Sequence, residues 1–219
     1  MICLSKNKND EYINMFAKGS KLRIEDYDFN FSNNSIMIRS MTKRKLIHEC
    51  WKNKHTFYYM DSGYIGNYKS KFNPMGFKLF HRIVKNDVQH NEIIHRSDDR
   101  WKQLDYPIHD RKQGRHILLV TPSEKPCKFY GIQLEEWIES TCNSIKKYTD
   151  RTIRIRQKAR RQDRVFTNTI FEDLDNDVHC VVTYNSIAAT EAVIHGVPAF
   201  IQAPNAASSV SNKNLENLE

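Results

Sequence analysis

At 219 residues, 39% hydrophobic and 11% aromatic, the chain is long enough for one large domain or two small ones and too aromatic for wholesale disorder. No apolar run approaches the roughly 20 residues of a membrane span. The opening MICLSKNKNDEY lacks a signal-peptide core, so a cytoplasmic protein is expected. Its five cysteines are scattered and never form a CxxC pair, which suits reduced thiols rather than a disulfide frame or a zinc site. The formal net charge is +8, and seven of the 34 basic residues fall within 151–164, RTIRIRQKARRQDR, while the rest of the second half is net acidic. Basicity placed in this way points to an anionic partner: a diphosphate, a nucleic acid or an acidic glycan.

Taken in chain order, residues 1–5 read as a strand and 11–17 as a short helix. Residues 35–41, SIMIRSM, read as a strand, and 43–54 place Leu46, Ile47, Cys50 and Trp51 on one helical stripe. The aromatic run 56–61, TFYYMD, is strand-like and ends in the turn-rich SGYIGN, and 77–84 reads as a further strand. Residues 86–115, rich in His, Asp and Arg, read as loop or linker. The second half is sharper. HILLVT (116–121) is the continuous apolar run of a strand buried on both faces, and Pro122 and Ser123 form the turn after it. Residues 133–148 form an amphipathic helix through Leu134, Trp137, Ile138, Thr141, Cys142 and Ile145. A short strand at 151–156, a helix at 168–174, a strand at 178–183, a helix at 186–195 and a strand at 198–202 follow. This alternation predicts a doubly wound parallel sheet in an α/β protein. The expected organisation is an N-terminal α/β lobe over 1–112 and a C-terminal nucleotide-binding lobe over 113–219. The chain stops inside what reads as a starting helix, NLENLE, so the second lobe is expected to be truncated.

Between Val181 and Gln202 the only charged residue is Glu191, on an alanine-rich helix. A lone buried carboxylate is costly unless paired, so Glu191 is expected to face a ligand cleft, within reach of a ribose diol. Ahead of it, Asn185 or Ser186 is a good N-cap, and the amides behind that turn form an anion site at a helix N-terminus. Gly196 and Pro198 end the helix, a structural role. If 152–156 is a strand, Arg154 and Arg156 share a face that continues towards Lys158. Cations leaving the carboxyl end of that strand sit beside the switch-point crevice, which nominates Arg156, Lys158 and Arg161 to hold a diphosphate.

The segment NSIAATEAVIHGVP resembles that of GT-B-fold glycosyltransferases, especially the capsule-polysaccharide type, in which an Asn/Ser turn enters a helix reading EA-x-x-x-G-x-P. The likeness covers roughly 114–210. It implies two Rossmann-like lobes, with the nucleotide sugar held by the C-terminal one as a substrate rather than a cofactor. Ser186 would then lie on phosphate and Glu191 on the ribose. The layout also looks like glycosyltransferase-like proteins of large phages, which would place it in a host cytoplasm with modified DNA, or otherwise an acidic glycan, as acceptor. Asp61, at the end of the aromatic strand, is a candidate general base, and His90 and His95 are rivals. No metal motif is present: HNEIIH is not HExxH, and His48, Cys50 and His55 lack zinc spacing. With seven glycines there is no GxGxxG or P-loop, and no GxSxG elbow. The expectation is a metal-independent glycosyltransferase with no obligate protein partner. The alternatives are a non-catalytic nucleic-acid-binding protein and a nucleotide-sugar epimerase or hydrolase.

Overall fold

The computed structural model describes residues 1–5, 9–26, 34–65, 80–93, 95–104, 107–157 and 169–219. Its architecture is mixed α/β, with one mainly parallel and one wholly parallel sheet. The chain divides into two compact units: Met1–Ser62 with His81–Gln89, and Gly63–Phe80 with His90–Glu219.

The first unit comprises β1 (Ile2–Leu4), α1 (Glu11–Ser20), β2 (Ile24–Glu25), β3 (Ile36–Arg39), α2 (Arg44–Lys52), β4 (Phe57–Ser62) and β5 (His81–Lys85). Its strands run in the order β2-β1-β3-β4-β5, parallel except for β5, which returns antiparallel on β4. Helix α1 starts where Asp10 accepts from the Ile13 amide at 3.2 Å, and it buries Ile13 and Ala17 against Cys3, Met37 and Met60 on one sheet face. Alternate residues Ile36, Ile38, Phe57 and Tyr59 are fully buried, and Trp51 of α2 meets Phe57 edge-on at 6.3 Å.

The second unit comprises α3 (Asp99–Leu104), β6 (His116–Val120), α4 (Glu124–Tyr130), α5 (Leu134–Ile145), β7 (Thr152–Arg156), α6 (Ile170–Leu174), β8 (Val178–Thr183), α7 (Ala188–Ile194) and β9 (Ala199–Ile201). All four strands are parallel, in the order β7-β6-β8-β9. Because side chains alternate along a strand, β6 feeds two cores. Leu118 and Val120 pack with Ile170, Leu174, Ala188, Ala189 and Ala192 of α6 and α7. Ile117 and Leu119 pack with Trp137 and Ile145 of α5 on the opposite face. Alanines let α7 lie close to the sheet, and burial of a residue such as Leu119 contributes about 1.5–3 kcal/mol.

Three elements escape the sequence pattern. Helix α4 stands where a simple turn is expected after β6. Pro126 sits in its first turn, where a missing N–H leaves no helical bond unmade, and Gly131 ends it at φ +70°. Helix α3 lies inside the expected linker, and β2 is only two residues long. The last residues form a single 3-10 turn, Leu215–Asn217, rather than a longer helix, and Leu218 is buried on the α5 face. No described helix is long and apolar enough to cross a membrane.

Candidate functional site at the carboxyl edge of the second sheet

Neighbouring parallel strands whose connections lead in opposite directions leave a crevice at their carboxyl ends, and ligands of open α/β sheets bind there. In the second unit β6 connects outward to β7 and β8 outward to β9, so the crevice lies between Val120–Ser123 and Thr183–Ser186. Thr183 ties the two strand ends together by donating from Oγ1 to the Val120 carbonyl at 2.7 Å.

The turn after β8 is braced from behind. The Tyr184 carbonyl accepts from the amides of Gln202 (3.1 Å) and Ala203 (2.9 Å). The Ser186 carbonyl accepts from the Ala189 amide at 3.1 Å and from Nδ2 of Asn205 at 2.6 Å. Asn205 is fully buried, and its Oδ1 accepts from the Ala207 amide at 2.9 Å. Gln202 in turn accepts from Trp137 Nε1 at 2.6 Å. Sequence reasoning missed both braces. Asn205 lies in a small-residue stretch, PNAASS, with no periodicity, and the proline and small polar residues around it mark only a turn.

The cap position of α7 falls on Ile187, which offers no side-chain cap, and Ser186, one residue earlier, accepts from the Ala188 amide through Oγ at 3.3 Å. Asn185 does not cap. It is buried at 3% exposure, and its Nδ2 finds no hydrogen-bond partner among the described residues. An amide held this way is costly and fits a role other than packing. Glu191 is buried at 9% exposure in the first turn of α7, between Thr190 and Ala192, where the positive end of the helix favours a carboxylate. Tyr184 packs at a 59° tilt against Tyr130 with ring centroids 5.3 Å apart, and burial pushes its phenol above the ordinary value of 10.

The basic candidates fare differently. Arg156 ends β7 opposite Val120, with its carbonyl accepting from the Thr121 amide, but its guanidinium is paired with Asp173 of α6. Lys158 and Arg161 lie outside the described residues. Asp61, in the first unit, accepts from Tyr59 Oη and the Ser62 amide, both at 2.7 Å, and lies 3.7 Å from Arg82. Those donors give it a structural task in β4. His90, in the second unit, pairs through Nδ1 with Tyr64 Oη at 3.2 Å, and its amide donates to the same oxygen at 3.1 Å. His95 is exposed. Among the described residues no three His, Cys, Asp or Glu side chains gather as metal ligands.

Two further features lie away from this edge. A cleft of about 550 Å³ runs along α5 and β7, lined by Cys142, Lys146, Arg151, Ile153 and Ile155 among others. At the foot of α7, His195 Nε2 and Lys112 Nζ meet Asp175 Oδ1 at 2.8 and 2.9 Å. Those hydrogen bonds, Lys112's first, hold the Asp175 carboxyl below its ordinary value of 3.8. Burial holds His195 below 6.5, against the opposing pull of Asp175. The buried Cys180 thiol is pushed up to about 12, which makes it an inert core residue. The chain matches no known protein family and no curated protein.

Proposed function

We propose that the protein is a glycosyltransferase of the GT-B type, using a nucleotide-activated sugar bound at the carboxyl edge of the second sheet. The observation that carries this reading is the braced turn Tyr184–Ser186 at the β6/β8 crevice, with buried Glu191 behind it in the first turn of α7. On this reading Asn185 and Ser186 meet the diphosphate and Glu191 accepts from the ribose hydroxyls. Arg156, with Lys158 and Arg161 following it in sequence, offsets the charge that develops on the departing nucleoside diphosphate. Arg156 would exchange its Asp173 partner to do so. His90, which belongs to the same unit, takes the proton of the acceptor hydroxyl as that oxygen bonds to the sugar carbon and the diphosphate leaves.

A thermal-shift panel of nucleoside diphosphates and nucleotide sugars tests the reading. A ligand present at 100 times its dissociation constant adds about 2.7 kcal/mol. The expected result is a rise in melting temperature with one nucleotide, lost in Glu191→Gln. The second reading, a nucleic-acid-binding protein, is favoured by Arg154, which is exposed on the edge strand β7. It predicts no nucleotide shift and salt-steep DNA binding that is indifferent to Glu191. Turnover of a nucleotide sugar with no acceptor present would instead indicate an epimerase or hydrolase.

A further inference from the structure

The first sheet has a crevice of its own. Its order, β2-β1-β3-β4-β5, sends the chain outward from β1 on one side and from β3 on the other, so the switch point falls between the ends of β1 and β3. Arg39 is the last residue of β3 and follows Met37 on the α1 face.

Its guanidinium is held on two sides. Nη1 donates to Asp10 Oδ2 at 3.0 Å, and the Tyr12 ring lies against the plane with its centroid 4.5 Å from Cζ. Asp10 is itself fixed: it caps α1 through Oδ1, and its amide donates to Oγ of the fully buried Ser5 at 3.0 Å. Among the described residues nothing engages the opposite edge of the guanidinium. Nε is buried without an acceptor, and no acceptor among the described residues lies on Nη2. The Nε–H and Nη2–H bonds of arginine run parallel, and this edge matches two oxygens of a carboxylate or phosphate.

The surroundings are consistent with an anion. Ser40, next in the chain, takes φ +78°, a conformation costly for any residue but glycine and concentrated at functional sites. Lys45, exposed in the first turn of α2, adds positive charge shortly after this strand end. We infer that the β1/β3 crevice of the first unit binds a phosphate or carboxylate group of a ligand, in bidentate fashion, on the Nε/Nη2 edge of Arg39. This site requires nothing of the second unit and stands whether or not a nucleotide sugar binds there.

The test is a proton–nitrogen NMR titration of the full chain in the arginine Nε–Hε region. Inorganic phosphate and acetate are the probes, added separately and compared with sodium chloride at matched ionic strength. The Arg39 signal is assigned by through-bond correlation in the unmodified protein and checked by its loss in Arg39→Lys, so the result does not depend on that variant folding. The expected result is a saturable shift of this signal with phosphate, acetate or both, and none with chloride. A shift with phosphate alone marks a phosphoryl ligand, and one with acetate alone a carboxylate. Lys45→Gln, an exposed change that leaves the clamp intact, should weaken the binding roughly two- to fivefold. Glu191→Gln should leave it unchanged. An Arg39 signal that stays in place, or drifts equally with all three salts, overturns the proposal.

Discussion

The two sheets share one winding order and differ in what stands at the point where it reverses. In the second unit the crevice is edged by Thr183, Tyr184, Asn185 and Ser186, uncharged groups braced by backbone bonds and by Asn205. In the first it is edged by Arg39, clamped between Asp10 and Tyr12. The same topology therefore offers a crevice edged by uncharged hydrogen-bonding groups in one unit and by an arginine in the other. Topology fixes where a ligand goes, and the few residues after each strand fix what kind it is.

Helix ends sharpen the contrast, and the largest effect is expected there. In the second unit α7 stops at Gly196, φ +80°, and a Cβ at that position would lie 1.9 Å from the Asp110 carbonyl oxygen. The segment around it is locked by hydrogen bonds from the His109 amide to the Ile194 carbonyl and from the Lys112 amide to Gly196. Backbone strain and steric overlap together should make Gly196→Ala cost about 3 kcal/mol or more, read by urea unfolding. A loss under 1 kcal/mol would mean that the strap over α7 is not fixed as described.

Next in size is Leu119→Ala. Leu119 is fully buried between β6 and α5, and its truncation should cost about 2–5 kcal/mol. Amide exchange then separates the units: protection should fall throughout β6–β9, and loss confined to the α5 face would show that the two cores of that sheet are not cooperative.

Acid should act on the second unit through two buried histidines. Burial lowers His195 below its ordinary value of 6.5, and burial followed by the nearby Arg154 charge lowers His116. The unfolded chain therefore takes up these protons first as pH falls, and stability declines from about pH 6.5 downward until the folded values are passed. Each site contributes a slope of at most about 1.4 kcal/mol per pH unit. His116→Gln with His195→Gln should flatten unfolding free energy against pH in that window. An unchanged slope would assign the dependence elsewhere.

Much of the second unit was legible because its strands are buried on both faces. Continuous apolar runs such as HILLV and VHCVV admit few other readings, and strand β8 falls on the expected 178–183. The turn at Asn185 and Ser186 and the burial of Glu191 were legible for the same reason: polar groups stand out in an apolar stretch. The first unit's crevice was not. Arg39 is one of many cations in a basic half, and what singles it out is a clamp by Asp10 and Tyr12, 29 positions away for the aspartate, which no local pattern encodes. Arg156 shows the converse. Its place at a strand end was read correctly, yet its pairing with Asp173 depends on how α6 folds back over the sheet.

The smallest effect is expected at the end of α1, where the first unit departs from the glycine stops of α4 and α7. Lys21 occupies the left-handed position at φ +56°, exposed, with the Leu22 amide donating to the Ala17 carbonyl at 2.9 Å in the manner of a glycine-ended helix. A side chain there is strained by about 1–2 kcal/mol, while glycine gives back part of that gain through the greater freedom of the unfolded chain. Lys21→Gly should therefore stabilise the protein by about 0.5–1 kcal/mol in urea unfolding. The NMR signal of Arg39 should be unmoved, because α1 is anchored to the crevice by Asp10 at its other end. A destabilised variant would mean that Lys21 makes a contact worth more than the strain it bears, and the contrast between the helix ends of the two units would then be one of contacts rather than of backbone conformation.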